Sequence, residues 1–142
     1  MNQNQTLLST VHKTTQRSQV GIRSLLDTAI HPQLRSILEQ QLREYEALET
    51  EACRIALQRG WELPEMDTFL RFLTDRMTRM QLGGRNHDSC IADILIRMNT
   101  KGMIRSLREL NRFPENDSQI RILSQKLLDC EKANIRQMQS FL

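Results

Sequence analysis

Three histidines, three cysteines and seventeen carboxylates are the groups with which this chain could bind metals or move protons. Helical proteins that hold a pair of metal ions use a Glu from each of two helices and a Glu-x-x-His pair from each of two others. The spacing of three puts both ligands on one helical face. Here Ser9, Thr28 and Gly84 stand three residues before His12, His31 and His87, so the pair is missing from the sequence. Cys53, Cys90 and Cys130 are far apart, form no Cys-x-x-Cys, and read as small buried thiols in a reducing cytoplasm. Cys90 follows His87 by three residues, yet no third group orients that pair as a nucleophile and its base. Met66, Met77 and Met80 have helical spacing and read as core filler rather than soft-metal ligands. Gly83-Gly84 before Arg85 reads as a plain break. Arg71, Arg76 and Arg79, interspersed with Asp67 and Asp75, read as a solvated face. These groups point to no catalysis and to no cofactor.

The elements that position these groups follow from punctuation and periodicity. Proline disfavours helical geometry in the residue before it and suits a first helical turn. His31-Pro32, Gly60 to Pro64, Gly83-Gly84 and Phe113-Pro114 therefore divide the chain. The first segment repeats apolar or small residues at Leu8, Val11, Thr15, Ser18, Ile22, Leu25 and Ala29. The second repeats at Leu34, Leu38, Gln41, Tyr45, Leu48, Ala52 and Ile55, and the last at Ile120, Ser124, Leu127, Glu131, Asn134, Met138 and Phe141. Leu128, Ile135 and Leu142 widen that last stripe. Alternating steps of three and four mark one helical face. They predict three amphipathic helices of roughly 27 residues, each ~40 Å long.

Residues 65–111 would make a single helix of ~70 Å, and Gly83-Gly84 is its natural break, with Asn86 or Asp88 capping the next helix. The piece over 65–82 carries Phe69, Leu70, Leu73, Met77 and Met80 on one side. The piece over 88–111 has one seam at Asp93, Ile96, Thr100, Met103, Leu107 and Leu110, and a second at Ile91, Ile94, Leu95 and Met98. With 65–82 outside as a crossover covering the second seam, the four long helices run up, down, down, up. That is the ferritin-like bundle with one long crossover. Packing of all five helices around a common core is the alternative. Either way 1–142 reads as one all-α domain, since scarce Gly, Pro and aromatic residues argue against a many-turned β fold. Trp61 is expected to close the bottom of the core.

With each long helix centred at the same height, a polar layer crosses mid-bundle. Glu131 interrupts the apolar stripe between Leu128 and Ile135, and Gln41 and Tyr45 lie near its level. A buried carboxylate needs a hydrogen bond or an ion pair. Glu131 is therefore expected to accept from Tyr45 or Gln41, as a polar group that fixes helix register. An irregular metal site of Glu44, Asp93 and Glu131 is the alternative use of the same layer. Asp93 and Arg97, four apart, read as a helix staple.

Several stretches also carry a family likeness, in order along nearly the whole chain. They are Ser18-Gln19-Val20-Gly21-Ile22, Gln41-Leu42-Arg43-Glu44-Tyr45, Ser89 to Ile96, Lys101-Gly102-Met103-Ile104, and Lys126 to Ile135. In them the chain resembles a family of short bacterial proteins of uncharacterised function with a ferritin-like four-helix bundle. Relatives tend to read His-Ile-Ala-Glu where this chain has Cys90-Ile91-Ala92-Asp93, and Gln where it has Arg97. The resemblance implies a fold and no reaction.

The expected function is accordingly a non-enzymatic bundle that acts by self-association, as a homo-oligomer, or by binding another protein. The alternative is a ferritin-like metal binder for storage or sensing, the only reading that includes a metal ion. Nucleic-acid binding is weaker, because the net charge of +3 and the pI near 9.0 come from interleaved signs rather than a basic block. No apolar run reaches membrane-spanning length and the first residues carry no basic and apolar leader pattern. A soluble cytoplasmic protein with no membrane partner is expected.

Overall fold

The computed structural model describes residues 2–66, 68, 71, 74–76, 88–115 and 117–142. Among them the protein is all-α, with no strand. Its long helices are α1 (Gln3–Leu26), α2 (Pro32–Gln58), α3 (Asp88–Arg112) and α4 (Ser118–Gln139). Thr68, Arg71 and residues 74–76, between α2 and α3, are also helical. The rest of the expected crossover, with Phe69, Leu70, Leu73, Met77, Met80, the Gly83-Gly84 break and the Asn86 cap, lies outside the described residues.

Local chemistry sets the helix ends. Asn2 and Gln5 form a reciprocal capping box on α1, at 2.8 and 3.0 Å. Pro32 opens α2 behind His31, whose Nδ1 accepts from the Gln33 amide at 3.1 Å. Asp117 caps α4 through the Gln119 amide at 2.9 Å. Gly60, at φ +66°, ends α2 in a Schellman motif: Trp61 N–H donates to Ala56 and Gly60 N–H to Leu57, at 2.9 and 3.2 Å. Half-buried Trp61 then packs against the edge of the core beside the Arg59 guanidinium.

Contacts at the two ends fix the helix directions. At one end Asn4 accepts from the Asp117 amide at 2.9 Å, and Arg59 pairs with the Asp117 carboxylate at 2.9 Å. At the other, the Asp88 carboxylate accepts from the amides of Ile30 and His31, and the His31 ring meets Phe141 edge-on. Hence α1 and α4 run in one direction, and α2 and α3 in the other. α1 packs along α2 and α3, and α4 packs along all three of the others.

The stripes of α1, α2 and α4 are buried as their periodicity requires, with Leu8, Leu25, Leu34, Leu38, Ile55, Ile120 and Leu127 fully enclosed. Each such side chain contributes ~1.5–3 kcal/mol through burial. Leu48, Ile135 and Phe141 are half-buried at the margins, and Leu142 is exposed.

α3 departs from its expected seam. Its buried line is Ala92, Leu95, Asn99, Gly102 and Ser106, flanked by Ile91 and Ile94. The expected seam at Asp93, Ile96, Thr100, Met103, Leu107 and Leu110 lies one residue round the helix, half-buried or exposed. The physical reason is volume. Opposite Tyr45 and Glu131 the core leaves room only for small or polar residues on α3, which an apolar pattern does not register.

Candidate functional site

The centre of the molecule is built from α4 outward. Glu131 occupies the buried line of that helix and has no solvent exposure. Its carboxyl lies directly against Gly102 of α3, where an added Cβ would stand 2.9 Å from the carboxyl carbon. Neither carboxyl oxygen has a hydrogen-bond partner among the described residues. Burial pushes its pKa up to about 8, against the opposing pull of Arg105, so the acid form prevails at neutral pH.

Tyr45 reaches into the same layer from α2, but not to Glu131. Its hydroxyl donates to Asn99 Oδ1 at 2.7 Å and accepts from Asn134 Nδ2 at 3.2 Å. Gln41 donates to Gln137 at 3.0 Å. The expected hydrogen bond from Tyr45 or Gln41 to Glu131 is therefore not formed. The Asn99 carbonyl takes the phenol, and α3 received no Asn in the periodic reading. Burial, and then the nearby Glu131, hold the Tyr45 pKa well above its usual value, so the phenol stays a donor.

The three alternative metal ligands are not assembled. Glu44 is half-buried and accepts from the Cys130 thiol at 3.3 Å, beside a cleft of about 580 Å³ between α2 and α4. Asp93 is exposed and pairs with Arg97 at 3.0 Å. Glu131 is enclosed at the core. Burial and the Glu44 carboxylate push the Cys130 thiol up to about 12, which makes it inert. The expectation of three buried thiols also needs correction, because Cys53 is exposed, while Cys90 and Cys130 are half-buried. The α2 stripe turns Cys53 away from the core.

Two further clusters escaped the periodic reading. Arg17, Lys101 and Arg105 line a cleft of about 310 Å³ with Ser18 and Thr74. Burial, and then Arg17, lower the Arg105 pKa there. His12, Glu49 and Cys53 meet on the α1–α2 face, with their ligand atoms all within 4.8 Å of one another. No other such group of His, Cys, Asp and Glu occurs among the described residues. Its signal was present in the turn: antiparallel pairing about His31-Pro32 sets residue 12 near the level of 49–53, and Glu49 and Cys53 share a helix face.

Protein-family models, curated proteins and solved structures offer no match to this chain. No described helix is long and apolar enough to cross a membrane.

Proposed function

We propose that this chain is a non-enzymatic, ferritin-like four-helix bundle, with 65–82 as its crossover, that acts in the cytoplasm by self-association. The enclosure of its polar centre supports the non-enzymatic part. Glu131 and Tyr45 are both wholly buried, so a substrate has no access to either.

The observation that carries self-association is the outer stripe of α3. Ile96, Thr100, Met103, Leu107 and Leu110 keep the three-and-four spacing of a packing seam over ~21 Å. Ile96 and Leu110 at its ends lean on the core, but Leu107 is 38% exposed, neighbouring Ile104 is 40% exposed, and Met103 stands outside the core cluster. A second copy suits this face better than an unrelated partner. In an antiparallel two-fold pairing about Met103, each Met103 meets its own copy and Ile96 of one chain meets Leu110 of the other, the latter contact made twice.

A Met103→Cys substitution tests this geometry, because a residue on the two-fold axis meets itself. Mild oxidation should yield a covalent dimer, with the bridge mapped to position 103 by peptide mass spectrometry. A chain that stays uncrosslinked at 103 while retaining its helicity would overturn the proposed interface.

A further inference from the structure

We infer that His12, Glu49 and Cys53 form a site for one borderline-soft divalent cation of the zinc type, with a fourth position open to the cleft beside them. His12 comes from α1, while Glu49 and Cys53 lie four apart on one face of α2. The His12 Nε2 stands 3.7 Å from Glu49 Oε1. A tetrahedral zinc centre separates its nitrogen and oxygen ligands by about 3.3–3.6 Å, so the pair is already near its bound spacing. Cys53 is exposed at the rim, with its sulfur within 4.8 Å of the other two ligand atoms.

Three observations set this cluster apart from an ordinary surface group. First, His12 is 97% buried, since only 3% of its surface is accessible, and its ring Nδ1 has no hydrogen-bond partner among the described residues. The other ring nitrogen, Nε2, faces Glu49 at 3.7 Å, beyond hydrogen-bond distance, and is the one offered to a cation. Second, Glu49 is oriented from behind. Gln19 donates to its Oε2 and Gln16 to its Oε1, and the other end of the Gln16 amide holds the Met66 backbone at 2.9 Å. Such outer partners fix ligating carboxylates in metal sites. Third, a cleft of about 190 Å³ lined by His12, Cys53, Trp61 and Glu65 leaves room for a water or a fourth ligand.

The donor set selects the cation. Thiolate and imidazole favour zinc-like ions over magnesium or calcium, which take oxygen ligands. A neutral imidazole, a carboxylate and a thiolate together balance a divalent charge. Burial and the nearby Glu49 and Glu65 raise the Cys53 pKa in the free protein, and a bound cation reverses that balance. On binding, Sγ gives its proton to solvent and forms the sulfur–metal bond. The site lies on the α1–α2 face and is independent of the α3 pairing proposed above.

The test is titration of the reduced full chain with Co²⁺ under anaerobic conditions, followed by competition with Zn²⁺. One equivalent should produce the near-ultraviolet absorption of thiolate-to-cobalt charge transfer, which Zn²⁺ then removes. Cys53→Ser, at an exposed position, should abolish that absorption and weaken Zn²⁺ binding by more than ~10-fold. A double Cys90→Ser, Cys130→Ser variant should retain both. Absence of the band in the parent chain, its persistence in Cys53→Ser, or its loss only in the double variant would overturn the assignment.

Discussion

Replacing Glu131 by Gln removes one titration from the centre of the protein while keeping its shape. In the folded chain this acid has a pKa raised from 4.5 to about 8 by burial. In the unfolded chain it titrates near 4.5. Between those values the folded state holds a proton that the unfolded state has lost, so stability falls as pH rises. The slope is ~1.4 kcal/mol per pH unit in that window and vanishes outside it. From pH 5 to pH 8 the parent chain should therefore lose on the order of 4 kcal/mol through this group alone. Glu131→Gln should lack that component, because an amide does not titrate. Urea denaturation followed by far-ultraviolet circular dichroism across this range, on both chains, reads the difference directly. The two stabilities should diverge steadily, with the variant gaining on the parent up to about pH 8. Parallel profiles, agreeing within ~0.5 kcal/mol throughout, would refute the placement of Glu131 as a buried, unpaired acid.

The packing around the same residue supplies further expectations. Gly102→Ala should destabilise by ~1–3 kcal/mol despite alanine's better helix propensity, because the new Cβ enters the Glu131 carboxyl. The loss should shrink in a Glu131→Ala background when measured as a double-mutant cycle. Tyr45→Phe should lower stability by ~1–3 kcal/mol in the same denaturation assay, leaving Asn99 and Asn134 without their shared hydroxyl. Gly60→Ala, at a left-handed backbone position, should lower it by ~1–2 kcal/mol. Alkylation of the native chain, read by mass spectrometry, should label exposed Cys53 first and Cys130 last, given a Cys130 thiol pushed up to about 12.

The sequence disclosed most where burial is paid for in apolar residues (the stripes of α1, α2 and α4). Those stripes fixed which faces turn inward, and the prolines fixed where helices begin. On α3 it picked out Ile91, Ile94 and Leu95, which are buried, but missed Ala92, Asn99, Gly102 and Ser106, which complete the buried line. Small and amide side chains carry no hydrophobic signal, so the periodic reading settled on Ile96, Met103 and Leu107 beside them. The mid-core layer was legible as residues and illegible as bonds. Gln41, Tyr45 and Glu131 are all buried as polar members of apolar stripes. Which of them pair depends on Asn99 and Gln137, contributed by other helices. The His12–Glu49–Cys53 cluster was hidden for a related reason: it joins two helices, and each contributes a fragment with no motif of its own.

Sedimentation equilibrium of the parent chain and of Leu107→Glu tests most directly the central claim that the bundle acts by self-association through the outer face of α3. The parent should show twice its monomer mass of 16.7 kDa at micromolar concentration, and the variant the monomer mass with unchanged helicity. A parent chain at 16.7 kDa at every concentration, or a dimer that Leu107→Glu leaves intact, would contradict it.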